Sequence, residues 1–107
     1  AVALKLSKFG GLSAMRRARD LTVRLGAEIC AECTWGSDIV TAASLHFAAS
    51  TPQGALLNTC DLSSYVSPRI APGCPTRKDG RIAPPEGPGL GVTPDMDTLG
   101  IPILELA

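Results

Sequence analysis

The sequence has no surplus of either charge: ten basic and ten acidic side chains cancel. A chain without net charge has no long-range electrostatic claim on nucleic acid or on an anionic membrane. No apolar run approaches the 18 residues that a membrane span needs. The first residues carry no basic-then-apolar leader, so a cytoplasmic protein is expected. There is also no second closely spaced cysteine pair. Cys30 and Cys33 stand three apart in C-A-E-C, but Cys60 and Cys74 stand fourteen apart, so a zinc ribbon is excluded. That C-A-E-C falls along a strand, whereas a redox C-x-x-C opens a helix. Core-facing reduced thiols are the expectation for all four cysteines. The single histidine, His46, falls inside a small-residue helix and reads as structural.

What is present is an ordinary globular composition, 45% hydrophobic and 19% charged over 107 residues, enough for one domain with a modest core. Residues 2–7, VALKLS, alternate apolar and polar and predict a strand. Gly10-Gly11 breaks it. From Leu12 to Leu25 the period becomes helical, with Ala14, Met15, Ala18, Leu21 and Leu25 as the apolar stripe. Ser13 is the expected N-cap, and Gly26 stands where a helix stop belongs. Residues 27–33 predict a second strand, residues 39–50 a second helix capped by Ser37 or Asp38, and residues 55–60 a third strand. Strand–helix–strand–helix–strand with short loops predicts parallel strands joined by right-handed crossovers.

After Asp61 the character changes. Eight of the nine prolines lie in residues 62–107. Arg77-Lys78-Asp79-Gly80-Arg81 predicts a tight turn around Asp-Gly. The stretch PPEGPGLGVTPD excludes helix and a central strand. Scattered Ile70, Ile82, Leu90, Val92, Leu99, Ile101 and Ile103 predict an irregular segment pinned onto another surface.

In a parallel α/β sheet the carboxyl ends of the strands form the functional face. Lys5 lies at that end of the first strand, and a lysine placed there can exchange protons as a general acid or base. Lys8 reads as a loop charge. Glu32 and Asp38 flank Trp35, whose ring could wall an apolar or cationic ligand. Asn58 and Asp61 close the third strand on the same side. The glycine-rich G-P-G-L-G of residues 87–91 precedes no helix start, so a nucleotide site is not indicated.

Three stretches carry a resemblance. LKLSKFGGLSAMRRARDL is similar to the sixth barrel strand and following helix of the enolase superfamily, in its mandelate racemase/muconate lactonizing enzyme group. ECTWGSDIVTAASLHFAASTP resembles the seventh strand, its loop and the next helix, and KDGRIAPPEGPGLGVTPDMDTLGIP resembles the tail that ends such chains. The Trp-Gly-x-Asp-Ile stretch looks most like the branch containing cis-3-hydroxyproline dehydratases. One departure is Cys33, which stands where that branch is expected to carry an acid.

The resemblance implies a (β/α)7β TIM-type barrel with a separate capping domain. It implies Mg2+ holding a small substrate carboxylate while a base removes the α proton. Racemisation, epimerisation or dehydration of a small hydroxy- or amino acid would follow. Lys5 matches the sixth-strand lysine that serves as acid/base, and Glu32, Trp35, Asp38, Asn58 and Asp61 are candidates for positioning substrate. The lysine partner on the second strand and the three metal carboxylates of strands three to five have no counterpart in these 107 residues. A complete barrel takes about 250 residues. The expectation is therefore a fragment: residues 1–61 as strands six to eight of a parent barrel, and 62–107 as a tail returning to the capping domain. Such a fragment would be inactive alone and would need the missing barrel and capping domain, in a parent that is a homo-oligomer. The rival expectation is a small non-catalytic α/β module whose proline-rich arm docks on a partner.

Overall fold

The computed structural model describes residues 1–106. Three parallel strands, β1 (Val2–Lys5), β2 (Ile29–Glu32) and β3 (Leu56–Thr59), form one sheet in the order β1-β2-β3. The connections run through α1 (Leu6–Phe9) and α2 (Leu12–Arg24), then through α3 (Asp38–Ala49). The α/β parallel arrangement expected from the element order is present.

Each strand is shorter than its apolar pattern. The β1–β2 register ends at Lys5 opposite Glu32. Beyond it Leu6 turns into the single helical turn α1, which packs Leu6 and Phe9 against the core at a spacing of three. Period 2 and that turn both send Leu4 and Leu6 inward, so alternation alone could not separate them. The turn closes on Gly10, at φ 68°, and α2 is preceded by Gly11, at φ 145°. Gly11, not Ser13, occupies the N-cap position.

The inward line of α2 also differs from the expected stripe. Met15 and Thr22 are buried and Ala18 and Val23 pack beside them, while Leu21 and Leu25 are exposed. Thr22 can take a buried place because its hydroxyl donates to the Ala18 carbonyl at 2.9 Å, so no polar atom is stranded. Gly26, at φ 71°, follows the helix end and stops it, as expected.

One core joins these pieces: Leu4, Ile29 and Ala31 from the sheet, Met15 from α2, and Phe47 and Ala48 from α3. Both long helices therefore cover the same face of the sheet. α3 is buried nearly all round because it lies between the sheet and the C-terminal segment. Ser44 donates to the Glu32 carbonyl at 3.4 Å on the sheet side. On the other side the His46 ring Nε2–H donates to the Leu90 carbonyl at 3.1 Å. His46 is thus a structural contact.

After β3, residues 60–106 are irregular apart from a 3-10 turn at Leu62–Tyr65, the Lys78–Arg81 bridge and the one-turn α4 (Met96–Leu99). The Asp-Gly turn forms as expected: Asp79 and Gly80 both have positive φ, and Lys78 and Arg81 exchange backbone hydrogen bonds of 2.8 and 2.9 Å. Ile70, Ile82, Leu90 and Val92 are partly buried, but Leu99, Ile101 and Ile103 are exposed. Pinning of the apolar residues therefore stops short of the end. Among the described residues no helix is long and apolar enough to cross a membrane.

Candidate functional site

The carboxyl ends of the three strands bring together the residues that could carry chemistry. Lys5 and Glu32 are register partners on adjacent strands, and Lys5 Nζ lies 2.7 Å from Glu32 Oε2. Both side chains are roughly one-third exposed, so the pair is open to solvent. The Glu32 carboxylate, by its hydrogen bond and its charge, holds the Lys5 ammonium above the ordinary lysine range. The pair therefore favours the charged, ammonium form of Lys5.

Behind this pair the strand ends are knitted by weaker contacts. Ser7 donates to Thr34 Oγ1 at 3.2 Å. Cys33 and Cys60 lie sulfur to sulfur at 3.2 Å, and the Cys33 N–H donates to Cys60 Sγ at 3.1 Å. The Leu62 N–H donates to Cys33 Sγ at 3.2 Å. Burial pushes the Cys60 thiol up to about 11.

Thr34 and Trp35 both adopt positive φ, 48° and 51°. This is rare for a β-branched or bulky residue and marks a constrained loop. Gly36 completes it, because a Cβ there would sit 2.4 Å from Val40 Cβ. The loop turns the Trp35 ring outward, 65% exposed, where it meets Tyr65 with centroids 6.2 Å apart.

Asp38 and Asp61 are each paired with an arginine of the C-terminal segment. Asp38 is buried at the start of α3; its Oδ1 pairs with Arg69 Nε at 2.5 Å and its Oδ2 accepts the Ala71 N–H at 2.9 Å. Cys74 Sγ donates to the Asp38 carbonyl at 3.3 Å. Asp61 is buried too and takes Arg77 Nη1 at 3.1 Å, with its second oxygen unpartnered. Tyr65 first, then Asp61, raise the Arg77 guanidinium further above its ordinary value. Asn58 is exposed on β3, in register with Cys30.

Arg69, Arg77 and Tyr65 were not among the sequence candidates. They sit in the proline-rich stretch, where no periodicity shows which element a side chain reaches. The only signal was two arginines near the bounds of an otherwise apolar and turn-forming segment.

A family model described as enolase C-terminal domain-like matches residues 1–98. The chain belongs to this family. Among curated relatives, a cis-3-hydroxy-L-proline dehydratase from Roseibium aggregatum is 46% identical over 100 residues, covering 94% of this chain and 27% of its own. An L-Lys-D/L-Arg epimerase from Methylococcus capsulatus is 37% identical over 93 residues, 86% of this chain and 26% of its own. A solved mandelate racemase/muconate lactonizing enzyme from Roseovarius nubinhibens ISM superposes with a TM-score of 0.89 at 45% identity, covering 95% of this chain and 28% of that one. Another from the same organism, complexed with magnesium, gives 0.91 at 36% identity over 97% of this chain and 28% of that one. This enolase-family chain spans about a quarter of the length of the curated relatives it matches.

Mg2+ asks for near-octahedral oxygen coordination through carboxylates, waters and substrate. Glu32, Asp38 and Asp61 are each ion-paired, to Lys5, Arg69 and Arg77. Among the described residues no group of three or more His, Cys, Asp or Glu could hold a metal ion. The described residues do not make a magnesium site.

Proposed function

We propose that this chain supplies one acid/base arm of an enzyme that moves the proton α to a carboxylate. The observation that carries the reading is the Lys5–Glu32 pair, in register at the carboxyl ends of two parallel strands, 2.7 Å apart. Lys5 is the residue that gives or takes the proton. Glu32 sets its charge state and keeps it aimed. As the ammonium, Lys5 donates a proton; once that proton has been passed on, its neutral amine can accept one.

The relatives are named as a dehydratase, an epimerase and mandelate racemase/muconate lactonizing enzymes. A small hydroxy- or amino acid is accordingly the proposed substrate class. Trp35 and Asn58, exposed near the same strand ends, are proposed to contact it. Asp38 and Asp61 act one step away, by fixing the loops through Arg69 and Arg77. Magnesium, present in a solved relative, is assigned to residues outside this chain, and no step here runs through it.

The sheet supports a barrel origin. Both long helices cover the face bearing Leu4, Ile29 and Ala31. Strand alternation places Ala3, Lys5, Cys30 and Glu32 on the opposite face, and an irregularity in the β2–β3 register brings Asn58 opposite Cys30. Helices outside and chemistry inside is the arrangement of a (β/α) barrel wall. Residues 1–61 are proposed as its strands six to eight, and residues 62–107 as the segment running back towards a capping domain.

A chimera tests the reading. Residues 1–98 replace the matching part of the Roseibium dehydratase, and Cα-proton exchange of cis-3-hydroxy-L-proline is followed in deuterium oxide. Exchange is expected in the chimera and is expected to be lost with Lys5→Met. Undiminished exchange in the Lys5→Met chimera would overturn it.

A further inference from the structure

The C-A-E-C spacing suggests Cys30 with Cys33, but the fold brings Cys33 to Cys60 instead, Sγ to Sγ at 3.2 Å. The reason is register. Ala31 stands opposite Thr59, so Cys33 falls one residue diagonal to Cys60 on the neighbouring strand. Strand spacing and rise put such Cα atoms about 6 Å apart, within the span that a disulfide bridges. Two backbone donors, from Cys33 to Cys60 and from Leu62 to Cys33, orient the two sulfurs. Neither thiol is assigned a part in the proton chemistry above.

We propose that Cys33 and Cys60 form a modification site at the carboxyl end of the sheet, joined as a disulfide by a peroxide and reopened by a dithiol. The two cysteines have different access. Cys33 is fully buried, whereas Cys60 is half-buried and reachable by a small oxidant. The Cys60 thiolate attacks one peroxide oxygen and the O–O bond breaks. Cys60 becomes a sulfenic acid and hydroxide leaves with the other oxygen. Cys33, already in contact, loses its proton to that hydroxide, giving the first water. Its sulfur then attacks Cys60 Sγ, the S–O bond breaks, and the departing hydroxyl takes up a proton as the second water. Two thiols and one peroxide thus give one disulfide and two waters. Because Cys33 waits at contact distance, the sulfenic acid is captured before further oxidation.

The burial that raises the Cys60 thiol makes this step slow at neutral pH and faster as the solution is made alkaline. The test uses the full chain with hydrogen peroxide at about pH 9, where the thiolate fraction is larger. The expected product is lighter by two hydrogen atoms and returns to the starting mass with dithiothreitol. Digestion after glutamate and aromatic residues separates Cys30, Cys33 and Cys60, so the bridged peptides identify the pair. Cys33→Ser and Cys60→Ser are expected to lose the mass change, and Cys30→Ser to keep it. A bridge through Cys30 or Cys74 would overturn the proposal, as would oxygen addition with no bridge. The mapping on the unsubstituted chain decides the matter even where a serine variant fails to fold.

Discussion

Arg69 reaches Asp38 across 31 residues of chain, Nε to Oδ1 at 2.5 Å, and so ties the proline-rich segment to the first turn of α3. The Asp38 side chain is 1% exposed and the Arg69 side chain 29%. Removing the arginine would leave a buried carboxylate with one backbone donor, from Ala71. Arg69→Met is expected to cost about 3 kcal/mol, because an orphaned buried charge costs more than the pair returns. Asp38→Asn with Arg69→Met should cost less than the two single changes added together. Urea denaturation of the four chains checks this; strict additivity would show that the two side chains do not interact.

The Lys5–Glu32 pair predicts a pH effect with a definite sign. The folded-state value of Lys5 lies above its unfolded value, so its contribution is fully present below the ordinary lysine range. It is lost as the pH climbs through the raised value. Carbon NMR titration of the Lys5 side chain should give a midpoint above that of a free lysine. Glu32→Gln should bring the midpoint down, since the hydrogen bond and the charge come from the same carboxylate. An unchanged midpoint in Glu32→Gln would show that the raised value has another source.

Asp95 gives the opposite sign. Its carboxylate accepts from the Thr98 hydroxyl at 2.8 Å and from the Thr98 and Asp97 N–H groups at 3.1 Å each, capping α4. The Thr98 hydroxyl is the main cause of its lowered value. The cap is present above the ordinary aspartate range and fails as the pH falls through the lowered value. Thr98→Val should move the Asp95 carboxyl resonance titration back up, while Lys5 stays where it was.

The parallel sheet, its helix order and the Asp-Gly turn were legible because each rests on local rules: apolar period, a glycine stop, and positive φ at two successive residues. Lys5 and Glu32 were legible one at a time, by their position at strand ends. That they meet was not, because register depends on how the sheet pairs. Leu21 and Leu25 misled because hydrophobicity alone ranked them above Thr22, whose hydroxyl is satisfied by the Ala18 carbonyl of its own helix. Asp38 and Asp61 were placed at the right ends of the right elements. Their arginine partners come from a segment without periodicity, so the direction in which each carboxylate faces was invisible.

Gly91 predicts a strained substitution. It has φ 69°, and a Cβ there would lie 2.6 Å from the Glu86 carbonyl oxygen. Gly91→Ala therefore combines a left-handed backbone with a backbone clash. A loss of about 1–3 kcal/mol is expected. Gly89→Ala is the control, having a similar φ of 66° but open space around it, and should cost only about 1 kcal/mol. Equal losses in thermal unfolding would show that the Glu86 contact does not matter.

Magnesium is expected to find no tight site in this chain alone. Glu32, Asp38 and Asp61 are each ion-paired, to Lys5, Arg69 and Arg77, and among the described residues they do not gather with other His, Cys, Asp or Glu into a cluster that could hold a metal ion. Calorimetric titration of the 107-residue chain with magnesium is expected to show no tight saturable site. Lys5→Met should not create one, since it frees a single carboxylate where Mg2+ asks for more ligands than that. The chimera with the Roseibium dehydratase should bind the metal with or without Lys5→Met. Tight, stoichiometric binding to the chain alone would place metal ligands among these residues and end the assignment of the metal to residues outside them.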